Sequence, residues 1–125
     1  MPAPSTLPKY LYKIVPEAPP SPLPEEYPLS DLDRNDGFIH LSTAEQVLGT
    51  ADRFFSSVTT LYLLKLPYAS LEKGIQWDDL PSGGGCFPHL YGRNFGAADV
   101  EEARGFTRAE GQVWSEVLKG DAWLA

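Results

Sequence analysis

Cysteine is nearly absent from this 125-residue sequence, and Cys86 is the single one, so no disulfide can form within the chain. A chain without disulfides suits a reducing compartment, and we expect a cytoplasmic protein. No apolar run approaches the ~20 residues that a membrane span needs, and the first residues lack the basic start and apolar core of a signal peptide. We therefore expect no membrane partner.

Basic residues are also scarce, since the sequence has 10 Lys and Arg against 17 Asp and Glu and a formal net charge of -7. A surface with this charge repels phosphate backbones, so we expect no nucleic-acid partner. Apolar residues make up 42% of the chain, which is enough for one hydrophobic core without disulfides or metal.

Several signatures of enzyme chemistry are missing. The histidines lack the short spacing of a metal site and the thiol of Cys86 stands alone, so we expect no metal and an idle thiol. No Gly-x-Ser-x-Gly motif marks a serine hydrolase. There is no phosphate loop and no dinucleotide fingerprint, because the three glycines at 83–85 do not form one.

Prolines indicate how the chain is organised. Residues 1–9 hold three prolines and are interpreted as a loose leader, followed by a single domain over residues 10–125. Within that domain, residues 16–28 carry six prolines. Proline removes backbone donors and interrupts helices, so this segment is predicted to be an exposed, extended surface loop.

Two segments have the composition of well-defined strands. Residues 10–15 alternate between two largely apolar faces, and we interpret Lys13 as an edge-strand lysine whose head reaches water. Residues 59–66 are apolar on both faces, which favours a central position in a sheet.

The stretch 37–42, Gly-Phe-Ile-His-Leu-Ser, is an apolar run interrupted by one histidine. It predicts a central strand with Phe38, His40 and Ser42 on one face. Residues 42–45 match a capping box that predicts a helix over 43–55. Gly49 in this helix is expected to permit the close approach of another backbone. The predicted buried stripe of the helix contains Val47, Ala51, Phe54 and Phe55.

The second half of the chain is also predicted to contain short strands, a loop and a helix. Residues 74–77 predict a short strand, and strand character resumes at His89, with a mobile polar loop over 78–85 between them. A second capping box begins at Thr107 and predicts a helix to Lys119, with Trp123 packed beneath it.

The two histidines are the only side chains whose ordinary pKa lies near neutral pH. Each lies in a strand-like apolar setting and is followed by a small turn or cap residue. One interpretation is that each is a structural residue fixed by hydrogen bonds. We expect instead that His40 and His89 line one cavity, with Lys13 near it.

The chain resembles a family of small proteins classed as domain of unknown function 952. The matching residues cover most of 10–95, and the proline-rich insert and residues 50–55 resemble the fungal branch. The resemblance implies a single α+β domain with a split or strongly bent antiparallel sheet and a few helices, similar to the ADP-ribosyltransferase superfamily. The matching stretches are 11–16, 36–47, 54–55, 61–66, 75–77 and 87–92.

A more distant resemblance concerns the site. Residues 37–42 are similar to the His-Val-His-Leu-Ser stretch of tRNA 2′-phosphotransferases and to the strand of poly-ADP-ribose polymerases that stacks on nicotinamide. This implies that His40 takes the stacking position. Lys13 stands where those enzymes have a ribose-binding histidine, and His89 stands where many have the catalytic glutamate. The implied catalytic residues are His40 and His89, and the implied ligand-binding residues are Tyr12, Lys13, Ser42, Thr43 and Tyr91.

Two functions of different classes follow. The first is an enzyme related to ADP-ribosyltransferases that acts on NAD or on another ADP-ribosyl or nucleotide-like small molecule. The second is a non-catalytic module that binds a small anionic metabolite or a protein partner, with the loop at 78–85 as a lid. We expect a small-molecule ligand, and the residues predict a pocket more firmly than they predict a reaction.

Overall fold

The structure is a computed structural model that describes residues 6–79 and 86–124. Six strands and four α-helices lie in these two ranges, and none of the helices there is long and apolar enough to cross a membrane. The strands are β1 (Tyr10–Val15), β2 (Ile39–His40), β3 (Thr60–Pro67), β4 (Ile75–Asp79), β5 (Cys86–Leu90) and β6 (Glu102–Thr107). The helices are α1 (Asp31–Asp36), α2 (Ala44–Phe54), α3 (Tyr68–Leu71) and α4 (Trp114–Leu118).

The strands form two antiparallel sheets, one in the order β1-β3-β6 and the other in the order β2-β5-β4. Within residues 6–79 and 86–124 one backbone bridge joins them, because Tyr12 and Ser42 exchange hydrogen bonds of 2.8 and 3.0 Å. The predicted α+β class, with an antiparallel sheet split in two and a few helices, is confirmed.

Strand β1 supplies side chains to two hydrophobic cores because its residues alternate between its faces. Leu11 and Val15 belong to a first core, together with residues of the β2-β5-β4 sheet such as Trp77. Tyr12 and Ile14 belong to a second core, which lies under α2 and α4. The predicted strand at 10–15 and its two apolar faces are therefore confirmed.

The sequence predicts central positions for two strands, and one of these predictions is wrong. Strand β3 does lie in the centre of its sheet, between β1 and β6. Strand β2, in contrast, has two residues and lies at the edge of the other sheet. The physical reason is that the chain leaves this sheet after His40, when Ser42 pairs with Tyr12 in the bridge to β1.

Helix α2 begins one residue later than its sequence pattern indicates. Thr43, not Ser42, is the N-cap, and its partner in the capping box is Gln46. Ser42 is unavailable as the cap because its backbone forms the bridge between the sheets. The buried stripe includes Val47 and Ala51 as predicted, whereas Phe54 is 61% exposed.

Gly49 lies in the interior of α2, and a Cβ atom built on it has no neighbour within 4 Å. The predicted close approach of another backbone is therefore wrong. Alanine has a higher helix propensity than glycine at an exposed interior position of a helix. Gly49→Ala is therefore expected to raise the free energy of unfolding by about 1 kcal/mol. Urea denaturation of the two proteins measures this difference, and an unchanged or lower midpoint would contradict the expectation.

The second capping-box pattern does not begin a helix. Thr107 is the last residue of β6, where it pairs with Thr60, so the strand takes the residue that the pattern assigns to the helix N-cap. Helix α4 is correspondingly short and begins at Trp114. Trp123 is buried in the second core, as expected, with its ring centroid 6.0 Å from that of Phe106.

The proline-rich residues 16–28 contain no helix or strand. Most of them are exposed as predicted, but Leu23 packs partly on the first core, and Tyr27 is buried with its ring stacked on Phe95 at 5.2 Å. The predicted loop at 78–85 is corrected at its start, since Asp78 and Asp79 belong to β4. The rest of that loop, with its predicted role as a lid, lies outside the described residues.

Candidate functional site

The fold brings the two histidines together. His40 in β2 and His89 in β5 are directly paired across the two strands. Their ring centroids are 5.1 Å apart, and the ring planes meet at 67°. They lie on the outward side of the sheet, because the alternate residues Ile39 and Leu90 point into the first core.

Phe38 is the centre of this surface. Its ring stacks on His89 at 4.4 Å between centroids and lies 4.8 Å from His40 and 4.9 Å from Tyr91. We call this surface the histidine face and define it as Phe38, His40, Gln76, Asp78, His89 and Tyr91, together with the α1 carboxylates of Asp33 and Asp36.

Helix α1 places two carboxylates against His40. The helix begins at a Ser30 cap and ends at Gly37, which adopts the left-handed conformation with φ 81° and so turns the chain directly into β2. Nδ1 of His40 lies 2.6 Å from Oδ1 of Asp33, and Nε2 lies 2.9 Å from Oδ2 of Asp36. Both nitrogens donate to these carboxylates only when the ring carries both protons.

Asp33 is the buried end of this network. Its Oδ2 lies 2.6 Å from Nζ of Lys13, and its Oδ1 also accepts the backbone N–H of His40 at 3.0 Å. Burial raises the pKa of Asp33, but the hydrogen bonds from His40 and the charge of Lys13 outweigh it and lower the pKa to about 2. Asp33 is therefore ionised throughout the physiological pH range.

Lys13 does not reach water, so its interpretation as a solvated edge lysine is wrong. The residue is 7% exposed, and its ammonium donates to Asp33 and, at 3.2 Å, to the carbonyl oxygen of His40. Burial lowers the pKa of Lys13, and the Asp33 carboxylate opposes that shift. The ammonium thus fixes the helix carboxylate and the β2 backbone in place.

His89 has its own carboxylate. Its Nδ1 lies 2.7 Å from Oδ2 of Asp78, which also accepts the Tyr91 hydroxyl at 2.6 Å. Oδ1 of Asp78 accepts Nε2 of Gln76 at 2.9 Å. Burial raises the pKa of Asp78, but the hydrogen bonds from Tyr91, Gln76 and His89 outweigh it and leave that pKa below its ordinary value. Burial and the adjacent carboxylate together raise the pKa of Tyr91 to about 12.

The second ring nitrogen of His89 is the available group of the site. Burial lowers the pKa of His89, so the ring is neutral at neutral pH, and Nδ1 is the nitrogen that donates to the ionised Asp78. Nε2 then carries a lone pair and makes no hydrogen bond with the described residues. Among those residues, only Trp77 and Trp123 have a side-chain nitrogen that is both buried and unpartnered, so Nε2 of His89 still touches solvent.

Three of the predicted ligand-binding residues lie away from the histidine face. Tyr12 is fully buried in the second core, where its hydroxyl lies 3.5 Å from the Trp123 carbonyl oxygen. Ser42 is 4% exposed, and its hydroxyl lies 3.5 Å from that of Thr50. Thr43 caps α2.

Two surface cavities lie elsewhere on the molecule. The larger, of about 540 Å³, is lined by residues 6–9 and 43–46 and by Trp77 and Cys86. The smaller, of about 220 Å³, lies between the end of α2 and the start of α4. Neither is lined by His40 or His89, so the cavity predicted for the two histidines is not one of these two.

The sequence predictions missed the carboxylates Asp33, Asp36 and Asp78. Asp36 precedes His40 by four residues across a glycine turn, a spacing that lets the two side chains meet. Asp33 and Asp78 have no such signal. Each reaches its histidine only through the packing of α1 on β2 or the pairing of β4 with β5.

Residues 21–103 match the family model described as protein of unknown function (DUF952). The crystal structure of protein CC0527 from Caulobacter crescentus is similar, with 29% identity and a TM-score of 0.68 over 83% of this chain and 91% of that chain. Its solution NMR structure has 31% identity and a TM-score of 0.65 over 82% and 90%. No curated protein matches the chain. Because the family model covers more than half of its residues, the chain belongs to the DUF952 family.

Proposed function

We propose that this protein is an ADP-ribosyltransferase-like enzyme, cytoplasmic and of fungal type, that acts on NAD or a related ADP-ribosyl compound at the histidine face. The observation that carries the proposal is the Asp78–His89 pair, in which Nδ1 of His89 lies 2.7 Å from the carboxylate and Nε2 has no hydrogen bond with the described residues. The ring centroid of His89 lies 5.1 Å from that of His40. A neutral histidine oriented by a carboxylate is a suitable general base.

The reaction breaks the bond between C1′ of a ribose and the nitrogen of its base. The bonding electron pair goes to that nitrogen, which becomes neutral, and positive charge develops on the ribose ring. The carboxylates of Asp36 and Asp78, which are 41% and 24% exposed, supply negative charge beside it. A water or acceptor hydroxyl then bonds to C1′ and gives its proton to His89 Nε2.

His40 supports this reaction by position. The resemblance to ADP-ribosyltransferases implies that His40 occupies the position of the residue that stacks on the base. The His40 side chain is 26% exposed and lies next to Phe38. Contacts with Asp33 and Asp36 fix both ring nitrogens, so the ring has one orientation in which to receive a planar group.

Turnover of NAD tests the proposal. The protein is expected to release nicotinamide and ADP-ribose from NAD, and His89→Ala is expected to lower the rate by about 100-fold, the usual contribution of a general base. Separation of the products by liquid chromatography measures both rates.

A variant on the same strand controls for damage to the sheet. Cys86 lies in β5, but its side chain packs on the first core, away from the histidine face. Cys86→Ala is expected to keep the wild-type rate. No release of nicotinamide by the wild-type protein, or equal rates for wild type and His89→Ala, would refute the proposal.

One observation favours the non-catalytic alternative. Carboxylates engage both nitrogens of His40, and Lys13 and Asp33 are buried in the same network, which is what a rigid recognition surface requires. A thermal-shift screen over nucleotides and sugar phosphates separates the two functions. A saturable shift without nicotinamide release from NAD would establish a binding module.

A further inference from the structure

We propose that the protein has a second binding site, which takes the phosphate group of a small molecule, at Lys65 and Arg104 on the β1-β3-β6 sheet. The histidine face belongs to the other sheet, and the inference does not depend on the reaction proposed there. We call the new site the cation cluster and define it as Tyr10, Lys65, Arg104 and Trp123.

Lys65 is the buried charge of the cluster. The residue is 8% exposed, and its ammonium lies 4.7 Å from the centroid of the Tyr10 ring and 4.6 Å from that of Trp123. It forms no hydrogen bond or ion pair with residues 6–79 and 86–124. Its Nζ is nevertheless not among the fully buried nitrogens of those residues, so it still touches solvent. The ammonium therefore has N–H donors that a ligand can engage.

The two rings hold the ammonium in place without neutralising it. The face of an aromatic ring attracts a cation that lies within about 6 Å of its centroid, but it supplies no net negative charge. A buried charge is costly unless it is paired and hydrogen-bonded. Because the rings also keep water from two sides of the ammonium, an anion that reaches it is bound more strongly than on an open surface.

Arg104 adds a second positive charge at the same ring. Its guanidinium carbon lies 5.2 Å from the centroid of Trp123, and the residue is exposed. Arg104 pairs with Leu63, two residues before Lys65 in β3, so Arg104 and Lys65 are diagonal neighbours on one face of the sheet. Two like charges at one ring repel each other, and a bound anion relieves that repulsion.

Two carboxylates of this region leave the cluster positive. Glu102 is the direct partner of Lys65 in the β3–β6 pair, yet it is exposed and the two side chains form no ion pair. Asp121 accepts the backbone N–H of Trp123 at 2.9 Å. In a chain with a net charge of -7, two cations at one ring without a carboxylate partner among the described residues indicate a site for a bound anion.

A phosphate group suits these donors better than a carboxylate does. It carries up to two negative charges near neutral pH and has three acceptor oxygens, which match an ammonium together with the planar fork of a guanidinium. The net charge of the protein disfavours contact with an anionic bilayer, so we assign the phosphate to a soluble small molecule.

Isothermal titration of the intact protein with inorganic phosphate at constant ionic strength tests the site. Lys65→Met keeps most of the apolar stem and removes the charge, and it is expected to weaken binding by about 10-fold, the contribution of one charge-assisted hydrogen bond. Arg104→Gln is expected to weaken binding by about 3-fold, and Glu102→Gln is expected to strengthen it. Arg104 and Glu102 are exposed, so their variants test the site even if Lys65→Met does not fold.

Lys73→Gln is the matched control for Arg104→Gln. It removes one positive charge from an exposed position in the turn before β4, and it is expected to leave binding unchanged. NMR provides a local measurement at the cluster. The indole N–H resonance of Trp123, assigned by its loss in Trp123→Phe, is expected to shift with phosphate and to shift less with acetate.

Every outcome decides the inference separately from the proposed function. Absence of phosphate binding, an unchanged Trp123 resonance, equal effects of Arg104→Gln and Lys73→Gln, or equal affinity for acetate would overturn it. Binding to phosphatidylglycerol vesicles without binding of free phosphate would overturn it as well. Saturable phosphate binding that changes as expected in the Lys65, Arg104 and Glu102 variants would uphold it, whether or not the protein cleaves NAD.

Discussion

Replacing Asp33 by alanine is expected to lower the free energy of unfolding by about 3–5 kcal/mol, the usual cost of removing one partner of a buried ion pair. Asp33 is 2% exposed and holds Lys13, which is 7% exposed. The substitution leaves the ammonium buried without its carboxylate at 2.6 Å and also removes the carboxylate oxygen that accepts from the His40 backbone.

Urea denaturation measures this loss, and Asp31→Ala provides the control. Asp31 lies in the first turn of the same helix, but its side chain is 97% exposed. Its exposed pair with Arg34 contributes at most about 1 kcal/mol, so the control variant is expected to stay close to wild type. Similar losses for the two variants would mean that α1 tolerates the unpaired lysine and that the network is not structural.

Acid titration of stability gives a second measurement of the same prediction. The pKa of Asp33 is lowered from 3.8 to about 2 in the folded protein, so its ionised form contributes about 2 kcal/mol of stability. Because the folded pKa is the lower one, this contribution is complete above about pH 5 and is lost as the pH falls towards 2. This decrease in the free energy of unfolding at acid pH is expected to be absent from Asp33→Ala.

Replacing Gly96 by alanine is expected to lower the free energy of unfolding by about 3 kcal/mol, since the new methyl group must displace backbone. A Cβ atom at this position lies 1.6 Å from the carbonyl oxygen of Glu25. The segment around Gly96 holds the proline-rich loop through hydrogen bonds from Tyr27 to Phe95 and from Ala97 to Pro24, each within 2.9 Å. The substitution is expected to release this loop.

Two measurements check this result. Urea denaturation gives the loss of stability, and limited proteolysis should show faster cleavage within 16–28. Gly49→Ala is the matched control, because the same change at an open helical position is expected to stabilise the protein. A midpoint for Gly96→Ala equal to that of wild type would show that the loop shifts without cost.

The sequence predicts best the strands that are buried on both faces, because their residues are nearly all apolar. Strands β1 and β3 have side chains in both cores, so nearly every residue is apolar and the pattern is unambiguous. The position of β2 could not be predicted in the same way. Whether a short apolar run is central or at an edge depends on partners from distant parts of the chain, here β5 and the bridge to Tyr12.

Local signals failed where tertiary pairing competed with them. The residues from Thr107 satisfy the capping-box pattern, yet pairing of Thr107 with Thr60 keeps that residue in β6. Likewise, Ser42 satisfies the pattern for α2 but serves in the bridge, and the cap moves to Thr43. A capping box favours a helix start by only about 1 kcal/mol, which a sheet can override.

The site was predictable only in part, because contacts between distant parts of the chain again have no local signal. Two histidines in strand-like settings indicate that they can share a face, and the rings do meet. The carboxylates that give each ring its orientation come from α1 and β4, and no spacing in the sequence links Asp33 to Lys13 or Asp78 to His89. Their contacts follow from packing, which a single sequence does not reveal.

The arrangement of β3 has a consequence for synthesis on the ribosome. Its two neighbours come from opposite parts of the chain, β1 from residues 10–15 and β6 from residues 102–107. When β3 emerges, β1 can already pair with it, but its other edge has no partner until more than 30 further residues have been translated, at about 5–20 residues per second. For some seconds the nascent chain therefore displays an unpaired apolar edge, which is the stage at which a chaperone or a second nascent chain can reach it.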